Sequence, residues 1–294
     1  MKRPLVVAVL RGRCLVRHGD ETISCRVRGN LIKGKAGSTC PVCVGDEVEL
    51  VKSGGEGVIQ RIYPRRTKLS RRVNNHVEQV IAANVDQAVI VVAAAHPPAR
   101  TGTIERYLIS ATAGGLSPLL CVNKIDLDER AARAVAARYQ DQLGVILTST
   151  VTGAGLAQLR LALASRISVF TGPSGVGKSS LLNALEPGLD LASGEVTDYG
   201  KGRHTTTGSW LVELSTGGLV VDTPGHRAID LWYQEGPSGS TFPEIADIGT
   251  GCRFRNCSHT HEPGCAVKEA VQNGEVDVER YRQYVKLAGF QPVF

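Results

Sequence analysis

The spacing of apolar and polar positions divides the chain into three styles. Between residues 11 and 62, short alternating runs at 14–17, 22–27, 47–51 and 57–62 are separated by glycine-bearing turns. Period-two alternation over so few residues predicts a small antiparallel β barrel or sandwich. Residues 64–72, with Arg65, Arg66, Lys68, Arg71 and Arg72, read as a basic connector. From residue 85 the pattern changes. Apolar runs at 88–94, 119–122, 145–147, 167–171, 210–214 and 219–221 predict strands, and stretches near 103–113, 128–142, 156–164 and 178–185 predict helices. Strand and helix alternation of this kind predicts an α/β unit with a mostly parallel sheet covered on both faces. Beyond residue 230 the text turns rich in Gly, Pro and Cys, then closes on a polar helix near 277–287. The expected division is 1–72, 73–235 and 236–294.

A length of 294 residues allows about two or more domains, and 42% hydrophobic with 21% charged residues fits a folded globular chain. The longest apolar runs, 88–95 and 5–10, fall far short of the roughly 20 residues a membrane-spanning helix requires. Lys2 and Arg3 precede the second run, but Pro4, Arg11 and Arg13 leave too short a core for a signal peptide. A cytoplasmic protein with no membrane partner is expected. Eight cysteines then point to thiols and metal ligands in preference to a disulfide framework.

Charge sharpens this picture. Residues 1–75 hold sixteen Lys and Arg against six Asp and Glu, whereas the remainder is net negative. Clustered cations bind polyanions by releasing condensed counterions, so the N-terminal segment is expected to bind nucleic acid.

Three motifs carry candidate chemistry. Gly172-Pro173-Ser174-Gly175-Val176-Gly177-Lys178-Ser179 fits G-x-x-x-x-G-K-[ST] between an apolar run and a helix, with Ser180 following. Glycines let backbone N–H groups wrap phosphates at a helix N-terminus, Lys178 reaches the outer phosphates, and the Ser179 hydroxyl ligates magnesium. Asp222-Thr223-Pro224-Gly225 follows another apolar run, which lets Asp222 support the magnesium and Gly225 meet the γ-phosphate. Asn123-Lys124-Ile125-Asp126 follows a third. The Asp126 carboxylate can accept two hydrogen bonds from the N1–H and exocyclic amine of guanine, a donor pair that adenine lacks. Asn123 and Lys124 then orient that loop, and Thr148-Ser149-Thr150, before Gly153-Ala154-Gly155, is expected to support the base from its other side. Ordinary GTPases present the phosphate loop first, whereas here Asn123 precedes Gly172. The domain is circularly permuted.

A fourth constellation, Cys252-x4-Cys257-x-His259-x5-Cys265, supplies three thiolates and one imidazole, a tetrahedral set for one structural Zn2+. His261 competes for the imidazole position. Arg253 and Arg255 lie between ligands and are expected to project toward a partner, with RNA the expected one. Cys40-Pro41-Val42-Cys43, with Cys14 and Cys25, leaves open a second metal site, although strand cysteines are more often small core residues. Cys121 is expected in the core.

The permuted order, the stretch Gly200-Lys201-Gly202-Arg203-His204-Thr205-Thr206-Thr207 and the cysteine pattern resemble the RsgA (YjeQ, YloQ) family of circularly permuted GTPases over nearly the whole chain. The resemblance implies an N-terminal OB-fold RNA-binding barrel, a central permuted P-loop GTPase domain and a C-terminal zinc-binding domain. It also implies hydrolysis of GTP to GDP and phosphate, with Mg2+, stimulated by the small (30S) ribosomal subunit and its 16S rRNA during late maturation. Hydrolysis requires a group that orients water against the γ-phosphate. His226 stands where Ras-like enzymes carry glutamine. The resemblance favours His204 for that task and assigns magnesium in the GTP state to Thr205 or Thr206. An isolated monomer is the expected state.

Overall fold

A computed structural model describes residues 3–10, 12–29, 31, 42–53, 56–73, 77–186, 209–222, 242–287 and 291–294. Five short strands open the chain: β1 (Leu5–Leu10), β2 (Arg13–His18), β3 (Glu21–Val27), β4 (Val48–Ser53) and β5 (Glu56–Ile62). The first three form an antiparallel meander, β3 pairs with β5 in parallel, and β5 pairs with β4 antiparallel. The Leu5↔Glu47 bridge and the 2.9 Å bond from Val48 N–H to the Pro4 carbonyl bring β4 back to β1. That spatial order, closed on itself, is the five-stranded OB barrel. Alternation fills it: Val6, Cys14, Val16, Ile23, Cys25, Val48 and Ile59 point inward. The run 5–10, which the alternation over 11–62 left out, is therefore a barrel strand.

Residues 64–72 are more than a connector. β6 (Lys68–Val73) and β7 (Val77–Ala83) form a separate two-stranded hairpin, so the expected boundary at residue 72 falls inside a strand. Five basic residues in nine disguise it. Its Leu69 is buried with Val85, Ala88, Ala111, Leu116, Val169 and Val221, wedged under the α/β sheet.

The α/β domain then runs β8 (Gln87–Ala93), α1 (Thr101–Ala113), β9 (Ser117–Asn123), α2 (Glu129–Tyr139), β10 (Gly144–Leu147), α3 (Leu156–Leu163), β11 (Ile167–Thr171), α4 (Lys178–Leu185), β12 (Ser209–Glu213) and β13 (Leu219–Asp222). The sheet order is β10-β9-β8-β11-β13-β12, parallel except for β12. All seven β8 residues are buried because both faces are covered. Val89, Val91 and Ala93 pack with Leu159, Leu163, Leu181 and Leu185 of α3 and α4, while Ile90 and Val92 pack with Ile104, Tyr107, Leu108 and Ala132 of α1 and α2. Residues 164–166 alone join α3 to β11. The guanine-loop half of the domain thus feeds straight into the phosphate-loop half, the circular permutation in structural form. At the other edge β12 pairs antiparallel with β1, Ala8 opposite Trp210, so barrel and domain share one eleven-stranded sheet.

The C-terminal module contains two helices besides the expected last one: α5 (Pro243–Gly249), α6 (Ala266–Gln272) and α7 (Val278–Leu287). Phe242, Ile245, Val267, Val271, Tyr281 and Val285 form its core together with Ile109 of α1. Arg280 of α7 locks the contact, meeting Glu105 of α1 at 2.7 Å and Glu244 of α5 at 2.6 Å. Among the described residues, no helix is long and apolar enough to cross a membrane.

Candidate nucleotide site and metal centre

Two strand ends converge at one edge of the parallel sheet. β11 turns into α4 through the glycine-rich loop 172–177. Gly172 has φ +144° and lies so close to the neighbouring strand that a Cβ would stand 2.1 Å from the Val91 carbonyl oxygen; one on Gly177, at φ +94°, would stand 2.5 Å from Asn123 Nδ2. Both positions therefore require glycine. Val176 is buried beneath the loop, Ser174 and Gly175 are exposed, and Ser179 and Ser180 sit half-buried in the first turn of α4. The Lys178 ammonium donates to the Gly172 and Pro173 carbonyls at 2.8 and 2.6 Å, and burial pushes its pKa down to about 8.

β9 ends on Asn123. Its Nδ2 donates to the Val176 carbonyl at 2.9 Å, and its Oδ1 accepts from Thr148 Oγ1 at 3.2 Å. Lys124, at φ +60°, swings its ammonium between the His96 and Gly175 carbonyls, 2.5 and 2.6 Å away. The Ser149 hydroxyl donates to Asp126 Oδ1 at 2.5 Å, and Ser149 Oγ in turn accepts from the N–H groups of Val151 and Thr152, at 3.2 and 3.1 Å. Thr150 stands half-buried beside it. The expected guanine loop and phosphate loop are therefore bonded directly to each other. Asp222 closes β13 two strands from β9's neighbour β8, its backbone opposite Trp210.

Other expected site residues lie outside the described residues: His204, Thr205, Thr206, Gly225 and His226; so do Arg203 and Cys40. Thr148, expected in the loop that supports the base, holds the Asn123 amide. One contributor escaped the sequence reading: the loop after β8 offers the His96 carbonyl to Lys124, and a backbone carbonyl leaves no trace in residue type.

The second centre lies in the loop between α5 and α6. Cys252, Cys257, His259 and Cys265 bring their ligand atoms within 4.8 Å of one another, the one such group among the described residues. Cys252 Sγ lies 3.5 Å from His259 Nδ1 and 3.9 Å from Cys265 Sγ, and His259 Nδ1 lies 3.4 Å from Cys265 Sγ. Ligands at about 2.0 to 2.3 Å from a tetrahedral zinc stand roughly 3.4 to 3.8 Å apart, so the set fits the ion. Burial raises the Cys257 thiol and lowers the His259 imidazole. A bound cation would reverse the first and exploit the second. His261 lies outside this group, with its side chain 82% exposed. The surrounding backbone is fixed by Tyr281, whose hydroxyl donates to the His259 carbonyl at 2.7 Å. Glu262 also contributes: burial alone would raise its pKa, but donors from Ser258 and Thr260 hold it at about 2. Cys14 and Cys25 are buried in the barrel core, Cys43 is buried in the segment before β4, and Cys121 lies in the α/β core.

Comparison with known proteins agrees with this geometry. Residues 62–232 match the family described as RsgA GTPase. The "Small ribosomal subunit biogenesis GTPase RsgA" of Gemmatimonas aurantiaca is 44% identical over 278 residues, covering 91% of this chain and 90% of that protein. The protein of the same name from Porphyromonas gingivalis is 39% identical, covering 93% and 92%. Among solved structures, YjeQ from Thermotoga maritima superposes with a TM-score of 0.75 at 34% identity, covering 98% of this chain and 97% of the other. YloQ, described as a circularly permuted GTPase, gives 0.69 at 33% identity, covering 98% and 94%.

Proposed function

The chain belongs to the RsgA GTPase family, and from that premise we propose that it hydrolyses GTP to GDP and phosphate while acting in maturation of the small ribosomal subunit. The observation that carries this reading is the pair of bonds from Asn123 to Val176 and from Lys124 to Gly175. They set a base-reading loop at a fixed distance from a phosphate cradle.

Within the site, the backbone N–H groups of 172–177 and the α4 N-terminus receive the β-phosphate, and Lys178 neutralises the outer oxygens. Asp126 accepts both donors of the guanine edge while Ser149 fixes its carboxylate, and Thr150 borders the base. Magnesium, which would neutralise charge on the phosphate oxygens, is assigned to Ser179 with Asp222 and Thr206. Gly225 meets the γ-phosphate, Thr205 borders it, and His204 or His226 orients the attacking water. One zinc ion, held by Cys252, Cys257, His259 and Cys265, would cross-link the loop between α5 and α6.

The basic barrel binds 16S rRNA in the cytoplasm, with the protein acting as a monomer. Because β12 pairs with barrel strand β1 on one side and with β13, which ends on Asp222, on the other, the α/β domain and the barrel share a continuous sheet. The direct test is Asp126→Asn, which exchanges a carboxylate for an amide that donates to a 2-oxo group. Equilibrium binding should show GDP affinity falling by about a hundredfold and XDP affinity rising to replace it, since two paired hydrogen bonds are reversed. Unchanged GDP selectivity would reject the site.

A further inference from the structure

Helix α1 begins without a cap. Arg100 takes the extended N-cap conformation, at φ −116° and ψ 126°, but its side chain accepts no N–H, and no acidic residue stands in the first turn. A helix cap is ordinarily a short side chain with an acceptor oxygen, whereas a guanidinium can only donate. The Thr103 and Ile104 N–H groups reach the Arg100 carbonyl at 2.9 and 3.1 Å. Among the described residues, the N–H groups of Thr101 and Gly102 have no partner. The aligned peptide dipoles of a thirteen-residue helix add partial positive charge at this end.

A second element aims a donor at the same place. Gln283 of α7 is only 9% exposed, and among the described residues its side-chain amide has no hydrogen-bond partner. Its Nε2 stands 3.2 Å from the position a Cβ on Gly102 would occupy. A helical Cα–Cβ bond leans toward the N-terminus, so the amide lies over the open end of the first turn. A side chain at 102 would press on that amide; glycine keeps the space clear. Burying an amide with nothing to bond is costly, and a ligand that accepts from it recovers the cost.

The surrounding charge selects the ligand. Arg100 is exposed and forms no ion pair among the described residues, and Lys286, one turn beyond Gln283, is exposed as well. The nearby carboxylates are already engaged: Glu105 meets Arg280 at 2.7 Å, and Glu279 is paired with Arg282. Two backbone N–H groups, a buried amide and a guanidinium at the rim together supply more donors than a chloride can use, and they suit the several oxygens of a tetrahedral anion.

We propose that the open N-terminus of α1, with Arg100, Thr101, Gly102 and Gln283, is a phosphate-binding site distinct from the nucleotide site. Because α1 belongs to the α/β domain and Gln283 to the C-terminal module, the bound phosphate bridges the two.

The test uses the full chain with GDP and Mg2+ saturating the phosphate loop, so that added anion reads the second site. GDP binding is measured first: its failure tells against the nucleotide assignment, while comparison with the Gln283 variant still reads this site. Inorganic phosphate at constant ionic strength should raise the melting temperature saturably, and acetate should not. Gln283→Leu keeps the approximate shape and removes the amide; it should weaken phosphate binding about tenfold and leave GDP affinity unchanged. Arg100→Asp gives the helix a carboxylate cap of its own, so it should raise the melting temperature without phosphate and abolish the response to it. Glycerol 2-phosphate and dimethyl phosphate separate the sources: binding of the monoester alone assigns the site to a free or terminal phosphate, and binding of both assigns it to a phosphate within a chain. A response equal to that with acetate, or one that Gln283→Leu and Arg100→Asp both leave intact, would overturn the proposal.

Discussion

Lys178 shows how a single side chain links burial to function. Its ordinary pKa of 10.5 falls to about 8 because burial disfavours the ammonium. The native state therefore binds fewer protons than the unfolded chain between about pH 8 and 10.5, so this group favours folding increasingly as pH rises through that window. Phosphate reverses the preference by restoring the charged form. Nucleotide binding should accordingly take up a proton near pH 8.5, and GDP affinity should fall as pH rises from 7.5 to 9; calorimetry in buffers of different ionisation enthalpy reads both. A binding heat independent of buffer would contradict the depressed pKa. Thr148 makes a quieter contribution. Thr148→Val removes the hydroxyl that donates to Asn123 Oδ1, and the lost neutral hydrogen bond, worth roughly 1 kcal/mol, should weaken GDP binding about fivefold by equilibrium titration. Motif spacing identified Lys178, Asn123 and Asp126 because their chemistry demands those residue types. It placed Thr148 in the loop beside the base but could not assign its hydroxyl to Asn123, because a hydrogen-bond partner does not show in residue type.

At the scale of elements, the C-terminal module depends on two kinds of tie. Glu105 is only 5% exposed, and its partner Arg280 also spans to Glu244 and covers the Phe242 ring at 4.6 Å. Truncating Arg280 strands a buried carboxylate, so Arg280→Met should destabilise docking by about 3 kcal/mol. The Arg280→Met/Glu105→Met double variant should recover much of that in a double-mutant cycle followed by thermal melting. Additive losses would show that the two side chains act independently. The metal tie is tested separately: chelation, or Cys257→Ser, should expose the loop between α5 and α6 to proteolysis while GDP binding at the α/β site persists. Elements were legible in the sequence in proportion to the regularity of their pattern. The apolar run 88–93 of β8 and the amphipathic α7 stood out, whereas the β6–β7 hairpin was masked by its arginines and lysines. Helices α5 and α6, seven residues each, were hidden among glycines, prolines and cysteines. Their stability derives from packing on α7 and from the cysteine cluster, which local pattern does not register.

Over the whole molecule, permutation is the organising fact, and it was visible in motif order before any strand was placed. What motif order did not disclose is the seam between barrel and domain. Ala8 pairs with Trp210 and Arg17 meets Glu213 at 3.2 Å, contacts between segments some two hundred residues apart, for which one sequence contains no signal. That seam places β12 between the barrel and β13, whose last residue is Asp222. A GTPase arranged in this way should respond to what its barrel grips. The decisive measurement is the initial rate of GTP hydrolysis by the full chain titrated with purified small ribosomal subunits. The rate should rise saturably by at least tenfold and remain unchanged with large subunits. A flat titration, with the protein folded and binding GDP, would contradict the assignment of this permuted site to the small subunit.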